Sequence, residues 1–315
     1  MNFQDFEYLR CNLKTSDLFG SDTAIANLFL LQEKYNTELK IHKNILFRYY
    51  YGDENRTGYG FPLAMKSLSN KENSPENWLK TALEYIFEDA NAQNRPVSFC
   101  LLTSAQKSLI NDCLALHFPG CTVNWKTNRN DCDYIYLRSN LADLPGSQYQ
   151  KKRNHISRFN RTYGQQGINW EFKSYPDNDI IADILAVSQK WYEEKNGDSE
   201  EVLRLEHENI KLALENTELL KLRGGVLYIN GEPAAMTLAA PISPDVLDVI
   251  FEKSFGDFER NGAYAVINQQ FARRNQSFLY FNREEDMGVE GLRKAKLSYK
   301  PEMILEKFYG EVTHA

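Results

Sequence analysis

Cysteine is scarce in this 315-residue chain: Cys11, Cys100, Cys113, Cys121 and Cys132 are odd in number, and no two form a Cys-x-x-Cys pair. That pattern suits free thiols in a reducing compartment better than a disulfide framework or a thiolate metal site, so a cytoplasmic location is expected. Long apolar runs are missing too. The best, Ala234 to Ile242, is interrupted by Thr237, and a membrane span needs about 20 apolar residues. The first residues, Met1 to Glu7, lack the basic stretch and apolar run of a secretory signal. Basic charge is not in excess either. Lys and Arg total 37 against 43 Asp and Glu, a net of -6, which argues against a surface built throughout for nucleic acid. No repeat of about 20–50 residues appears. There is no Gly-x-Ser-x-Gly, no Walker loop and no His-Glu-x-x-His; His42, His117 and His314 stand alone, and no metal is expected.

What is present reads as a mixed α/β protein. At about 150 residues per domain the length allows two, and the turn Leu144-Pro145-Gly146 suggests a division into 1–146 and 147–315. In the first half, alternation predicts strands over 37–51 and 57–63. A helix over 75–92 follows, with Ser74 as N-cap and Pro75 at its first position. A strand at 97–102 and a helix over 104–117 come next, the helix with Leu109, Ile110, Cys113, Leu114 and Leu116 on one stripe. Strands at 122–125 and 133–137 close this half.

The second half is clearer. A strand at 170–175 precedes two helices, 177–194 and 201–215, joined by Lys195-Asn196-Gly197-Asp198. Gly225–Ile229 and Pro233–Leu238 flank Asn230-Gly231, a pair that tolerates the positive φ angles of a type I′ hairpin turn. A third strand, 246–255, should pair beside them. A helix over 262–274, a strand at 277–281, a helix over 289–298 and a last strand at 302–309 complete the order. It implies a mixed sheet covered by helices.

This order resembles the GNAT acyltransferase fold. Three stretches carry a closer likeness: Lys151-Lys152-Arg153-Asn154-His155-Ile156-Ser157-Arg158-Phe159, Gly224 to Gly231, and Phe281-Asn282-Arg283-Glu284-Glu285-Asp286-Met287-Gly288-Val289-Glu290-Gly291-Leu292-Arg293-Lys294-Ala295-Lys296. With them the chain resembles the phosphatidylglycerol lysyltransferase C-terminal-domain family, whose members look like two GNAT domains in tandem. The resemblance implies a degenerate first domain and a transferase site in the second. It further implies a slot between two diverging strands that admits the tail of an acyl donor. The donor would be acyl-coenzyme A or aminoacyl-tRNA, and the acceptor a small molecule bearing an amine or hydroxyl. Two departures are visible. The loop that holds coenzyme A pyrophosphate in GNAT enzymes here reads Glu259-Arg260-Asn261-Gly262-Ala263, and no membrane-spanning portion accompanies the family motifs.

Candidate roles follow, each beside a plainer reading. Gly262 and Ala263 open a helix whose N–H groups could take phosphate, assisted by Arg260; otherwise Gly262 is a turn glycine. Asn282 and Arg283 would stand at the mouth of the site, with Asp286 orienting Arg293 and Lys296 neutralising an anionic donor; otherwise the turn is a solvated charge run. Glu252 on the third strand is a candidate general base, or points to solvent. Tyr264 would protonate the leaving group, or packs in the core. Glu206 is a weaker acid–base candidate. Lys151, Lys152, Arg153 and Arg158 lie on a basic helix, with Lys151, His155 and Arg158 forming a stripe. That helix suits tRNA, a nucleotide phosphate or an anionic lipid surface, or is simply a solvated face. A non-catalytic module binding RNA or another anionic partner through it is the alternative function. Trp125, Trp170 and Trp191 are expected in the core.

Overall fold

The computed structural model describes residues 1–33, 35–52, 56–69, 75–165, 167–196 and 201–314. Two compact units interleave along the chain. The first takes Met1–Ser16, Asn27–Asp133 and Leu305–Ala315; the second takes Asp17–Ala26 and Tyr134–Ile304. A single cut at 146 does not separate them, because the final strand of the chain belongs to the first unit's sheet.

In the first unit, Glu38–His42 and Ile45–Tyr51 form an antiparallel hairpin. Lys43 and Asn44 lie between them with φ of 47° and 61°, so two strands stand where alternation suggested one. Thr57–Tyr59 pairs antiparallel with Ile45–Tyr51. Helix Pro75–Ala92 then crosses to Ser98–Leu102, which runs parallel to Thr57–Tyr59. The N-cap expected at Ser74 lies outside the described residues. Helix Ser104–His117 begins with a reciprocal cap between Thr103 and Gln106. It buries Ile110, Cys113 and Leu114, whereas Leu109 and Leu116 are 49% and 66% exposed. At about 100° per residue those two leucines fall to one side of the buried arc. Phe308–His314 completes this sheet, antiparallel to Ser98–Leu102 and to Cys121–Val123.

The second unit repeats the pattern of antiparallel meander, helix and parallel strand. Arg223–Ile229 and Glu232–Pro241 turn at Asn230-Gly231, where φ is 51° and 81° as the type I′ turn requires. Val246–Ser254 pairs next, antiparallel to Glu232–Pro241. Helix Ala263–Arg274 leads to Tyr280–Asn282, parallel to Val246–Ser254. Asp133–Leu137 lies antiparallel beyond it, then Met303–Leu305, while Trp170–Tyr175 forms the other edge. The predicted strand at 302–309 is thus two strands in different sheets. Helices Ile181–Glu194 and Glu201–Glu215 precede the meander; of the turn between them, Gly197 and Asp198 lie outside the described residues. Meander, helix and parallel strand in both units make this a mixed α/β fold of two GNAT-like domains in tandem.

Apolar side chains on the second sheet, among them Leu227, Ala235, Leu247 and Phe281, close over Val266, Ile267 and Phe271 of helix Ala263–Arg274. Helix Gln150–Tyr163 adds Phe159 to the same core. Trp125, Trp170 and Trp191 are half-buried rather than central. Among the described residues no helix is long and apolar enough to cross a membrane. No group of three or more His, Cys, Asp or Glu side chains is placed there to hold a metal ion.

Candidate active site between diverging strands

The parallel strands Val246–Ser254 and Tyr280–Asn282 are joined only through Val246–Tyr280, Leu247–Phe281 and Asp248–Asn282. Beyond Asp248 the first strand runs on to Ser254, still paired with Glu232–Pro241 on its other edge. The chain after Asn282 instead turns away through positive φ at Glu284, Met287 and Gly288. An extra residue, Ile250, sits in the continuing strand, since Ala239 pairs with Val249 and Leu238 with Phe251. Such a bulge turns backbone groups out of the ladder. The strands therefore open a slot after Asp248, along the strand in which Ile250 is left out of the ladder.

Glu252 and Arg283 bridge this opening. Arg283 Nη2 donates to Glu252 Oε1 at 2.9 Å, and their side chains are 14% and 12% exposed. Neither points to bulk solvent. Around them lie the rings of Tyr136 and Tyr299, 6.0 and 5.1 Å from the guanidinium. Lys152 places its Nζ 3.7 Å over the Tyr299 ring. Burial, then repulsion from Arg283, pushes the Lys152 amine down to about 8 against the pull of Glu252. Burial likewise pushes the phenols of Tyr136 and Tyr299 well above their ordinary range.

The turn that carries Arg283 is held by groups expected to meet ligand. Asn282 is buried: its Nδ2 donates to the Phe19 carbonyl at 2.8 Å, and its Oδ1 accepts from the Glu284 N–H at 2.7 Å. Lys296 is also buried and donates to the carbonyls of Arg283, Glu284 and Glu285. Its charge is spent on peptide dipoles, so it does not neutralise a donor. Asp286 is fully buried and accepts from Tyr134 Oη at 2.5 Å, Arg293 Nε at 2.8 Å, Arg293 Nη2 at 2.7 Å and the Gly288 N–H at 2.9 Å. Burial alone would raise this carboxyl; the bonds from Arg293 and Tyr134 outweigh it and hold the group well below the usual carboxylate range. Asn282, Asp286, Arg293 and Lys296 thus build the turn and leave Arg283 facing the slot.

The start of helix Ala263–Arg274 differs from expectation. Gly262 has φ of 101°, and a Cβ there would lie 2.8 Å from the His155 carbonyl oxygen. Glycine is needed because two backbones meet, as only Gly adopts this angle cheaply. Gly262 and Ala263 are both buried, whereas Arg260 is exposed and paired with Asp257 at 2.9 Å. The phosphate cradle expected at 260–263 is covered by helix Gln150–Tyr163. Tyr264 Oη accepts from the Ser254 N–H at 3.2 Å; burial, and the Glu259 carboxylate after it, push this phenol well above its ordinary value. Glu206 lies apart, paired with Lys253 at 2.7 Å.

The basic helix divides into two faces. Lys151 and Arg158 are exposed, as is Arg161. Arg153 donates to the carbonyls of Leu144 at 2.5 Å and Gly146 at 2.7 Å, fastening the preceding loop. Lys152 falls with Ile156 and Phe159, one and two turns on, and those two pack into the core. Helical phase alone could have assigned Lys152 to the inner face.

A curated protein of Mycoplasmoides gallisepticum, itself uncharacterised, is 22% identical over 246 residues, 72% of this chain and 75% of that protein. A solved structure of a conserved Bacteroides thetaiotaomicron protein of unknown function is 33% identical, covers 99% of this chain and 98% of its own, and has a TM-score of 0.82. The L-PGS structure from Bacillus licheniformis shares the fold at 12% identity and a TM-score of 0.60, covering 98% of this chain and 91% of its own. The family described as phosphatidylglycerol lysyltransferase, C-terminal, matches residues 14–310. With all three resemblance motifs inside that span, the chain belongs to the phosphatidylglycerol lysyltransferase C-terminal family.

Proposed function

We propose that this protein is an aminoacyltransferase that moves an aminoacyl group from charged tRNA to an amine or hydroxyl of a small-molecule acceptor. The observation that carries the reading is the parting of Val246–Ser254 from Tyr280–Asn282 after three paired residues. An aminoacyl ester at the end of a flexible CCA tail fits such a slot. Its carbonyl would be polarised by main chain freed at the Ile250 bulge, and positioning of donor and acceptor would supply much of the rate. No covalent enzyme intermediate is required. Family membership supports the aminoacyl group, and lysine is the first to try.

Transfer RNA is preferred to coenzyme A as donor because Gly262 and Ala263 are buried. The N–H groups at that helix start offer no open cradle for pyrophosphate. Lys151, Arg158 and Arg161 instead present positive charge on a solvent-facing helix, the pattern that tracks a phosphate backbone. The same face would serve an anionic lipid surface if the acceptor is a lipid.

Radiolabelled lysyl-tRNA and acetyl-coenzyme A, each incubated with the protein and a mixed extract of lipids and small amines, test the reading. Label is expected to leave tRNA for the acceptor fraction and to stay on coenzyme A. Movement from coenzyme A alone would reverse the donor, and movement from neither would leave an RNA-binding module. Affinity for uncharged tRNA should also fall with salt. Three phosphate contacts give a slope of about −2 to −3 in log K against log salt, and K151Q with R158Q should flatten it by about 2. A slope near zero would remove the basic helix from the interface.

A further inference from the structure

We propose that the Lys152 amine, rather than the Glu252 carboxylate, takes the proton from the attacking acceptor; this deepens the transferase reading and rests on it. Glu252 has the conventional chemistry for the task, but its Oε1 already accepts from Arg283. Lys152 differs in position and in bonding. Helical phase puts it on the inner face with Ile156 and Phe159, its Nζ lies against the Tyr299 ring, and among the described residues no oxygen accepts a hydrogen bond from it. Nearly every other inward lysine or arginine nearby has such an acceptor. Lys296 has three carbonyls, Arg153 two, and Arg283 a carboxylate.

The groups around Lys152 and Arg283 come from five segments. Glu252 projects from the continuing strand and Arg283 from the turn after Asn282. Tyr299 lies beyond helix Glu290–Leu297, with Tyr136 across the guanidinium from it. His155 and Arg158 are on its own helix. Two cations and one carboxylate leave an excess positive charge in a half-buried space. Burial first, and repulsion from the Arg283 guanidinium second, disfavour an ammonium at Lys152, which is why the amine is pushed down to about 8, while burial keeps the two phenols protonated.

The step balances without a further reactant. The acceptor's O–H or N–H bond breaks and its proton goes to the Nζ lone pair. The acceptor's electron pair forms a bond to the ester carbonyl carbon, and the carbonyl π electrons move to oxygen. Collapse re-forms the C=O bond and breaks the C–O bond to ribose. The Lys152 ammonium returns a proton to that ribose oxygen, and the amine is regenerated.

Trace labelling of the full-length wild-type chain with acetic anhydride, read by mass spectrometry from about pH 6 to pH 11, tests the premise without any substrate. Lys152 is expected to titrate near 8, below the ordinary range of a lysine amine. R283Q should move Lys152 upward by removing the repelling charge. A Lys152 that titrates in the ordinary lysine range, at about 10.4, overturns the proposal. In the tRNA transfer assay, K152Q is expected to lose about 100-fold or more and the rise in rate through pH 8. K152R, which stays cationic, should fall alike. K152Q should melt no lower than wild type, because it removes a half-buried charge with no bonded acceptor. If wild type transfers and K152Q transfers equally, this proposal fails alone. If wild type transfers from no donor, the transferase reading fails and takes the proposal with it.

Discussion

Asp286→Ala is expected to destabilise the protein by about 2–3 kcal/mol, because it removes a buried acceptor of several hydrogen bonds, and to abolish transfer. The carboxylate accepts from Tyr134, twice from Arg293 and from the Gly288 N–H, and alanine removes all four bonds. The turn after Asn282 would lose its anchor, and Arg283 its register against Glu252. Denaturant unfolding near neutral pH measures the loss, and a change below about 1 kcal/mol would show that the turn is held by other contacts. Asp286→Asn should be intermediate, because it keeps the shape and loses the charge. The pH dependence has a definite sign. The folded carboxyl is held below its unfolded value, so its contribution is complete above about pH 4 and is lost as pH falls through the folded value. The difference between wild type and Asp286→Ala should therefore narrow in acid.

Gly262→Ala is expected to cost about 2–4 kcal/mol, from backbone strain plus a contact that cannot relax cheaply. The φ of 101° is one that side-chain-bearing residues rarely adopt, and the obstructing atom is the main-chain oxygen of His155. Helix Gln150–Tyr163 would have to lift from the start of helix Ala263–Arg274, carrying Lys152 away from Tyr299. A melting temperature within about 1 °C of wild type would rule out the close approach. The same substitution at Gly231 has open space around it and tests the φ contribution alone, since Gly231 also has a positive φ of 81°. The two variants together separate backbone strain from the clash.

Local pattern made much of the fold legible. Asn230-Gly231 located its hairpin because few residue pairs accept two consecutive positive φ angles, and the element order of the second half already implied a mixed sheet. The motif from Phe281 to Lys296 pointed to the slot, and Asp286 does meet Arg293. The misread residues share a physical cause. A lysine or arginine advertises its charge in sequence but not its acceptor, so Lys296 and Arg153 looked like ligand-binding cations when their partners are peptide carbonyls. Asn282 was placed at the mouth for the same reason, although its amide is tied at both ends. The Glu252–Arg283 pair joins residues 31 apart, a separation that no helical or strand period encodes. The stripe through Lys151, His155 and Arg158 is one register away from the inner face, and one residue of phase turned Lys152 from a surface cation into a neighbour of Tyr299.

The interleaved sheets also set the order in which the molecule can be made. Cys121–Val123 and Lys126–Thr127 find their ladder partners in Phe308–His314, and so does the far edge of Ser98–Leu102. Translation delivers Phe308–His314 long after the strands they pair with have been made. For most of synthesis the opening sheet must wait with bare edges, a state prone to mispairing with other nascent chains. The first unit therefore closes only after the second has been made, and a chain interrupted just before Phe308 would leave that sheet without the strand its edges need.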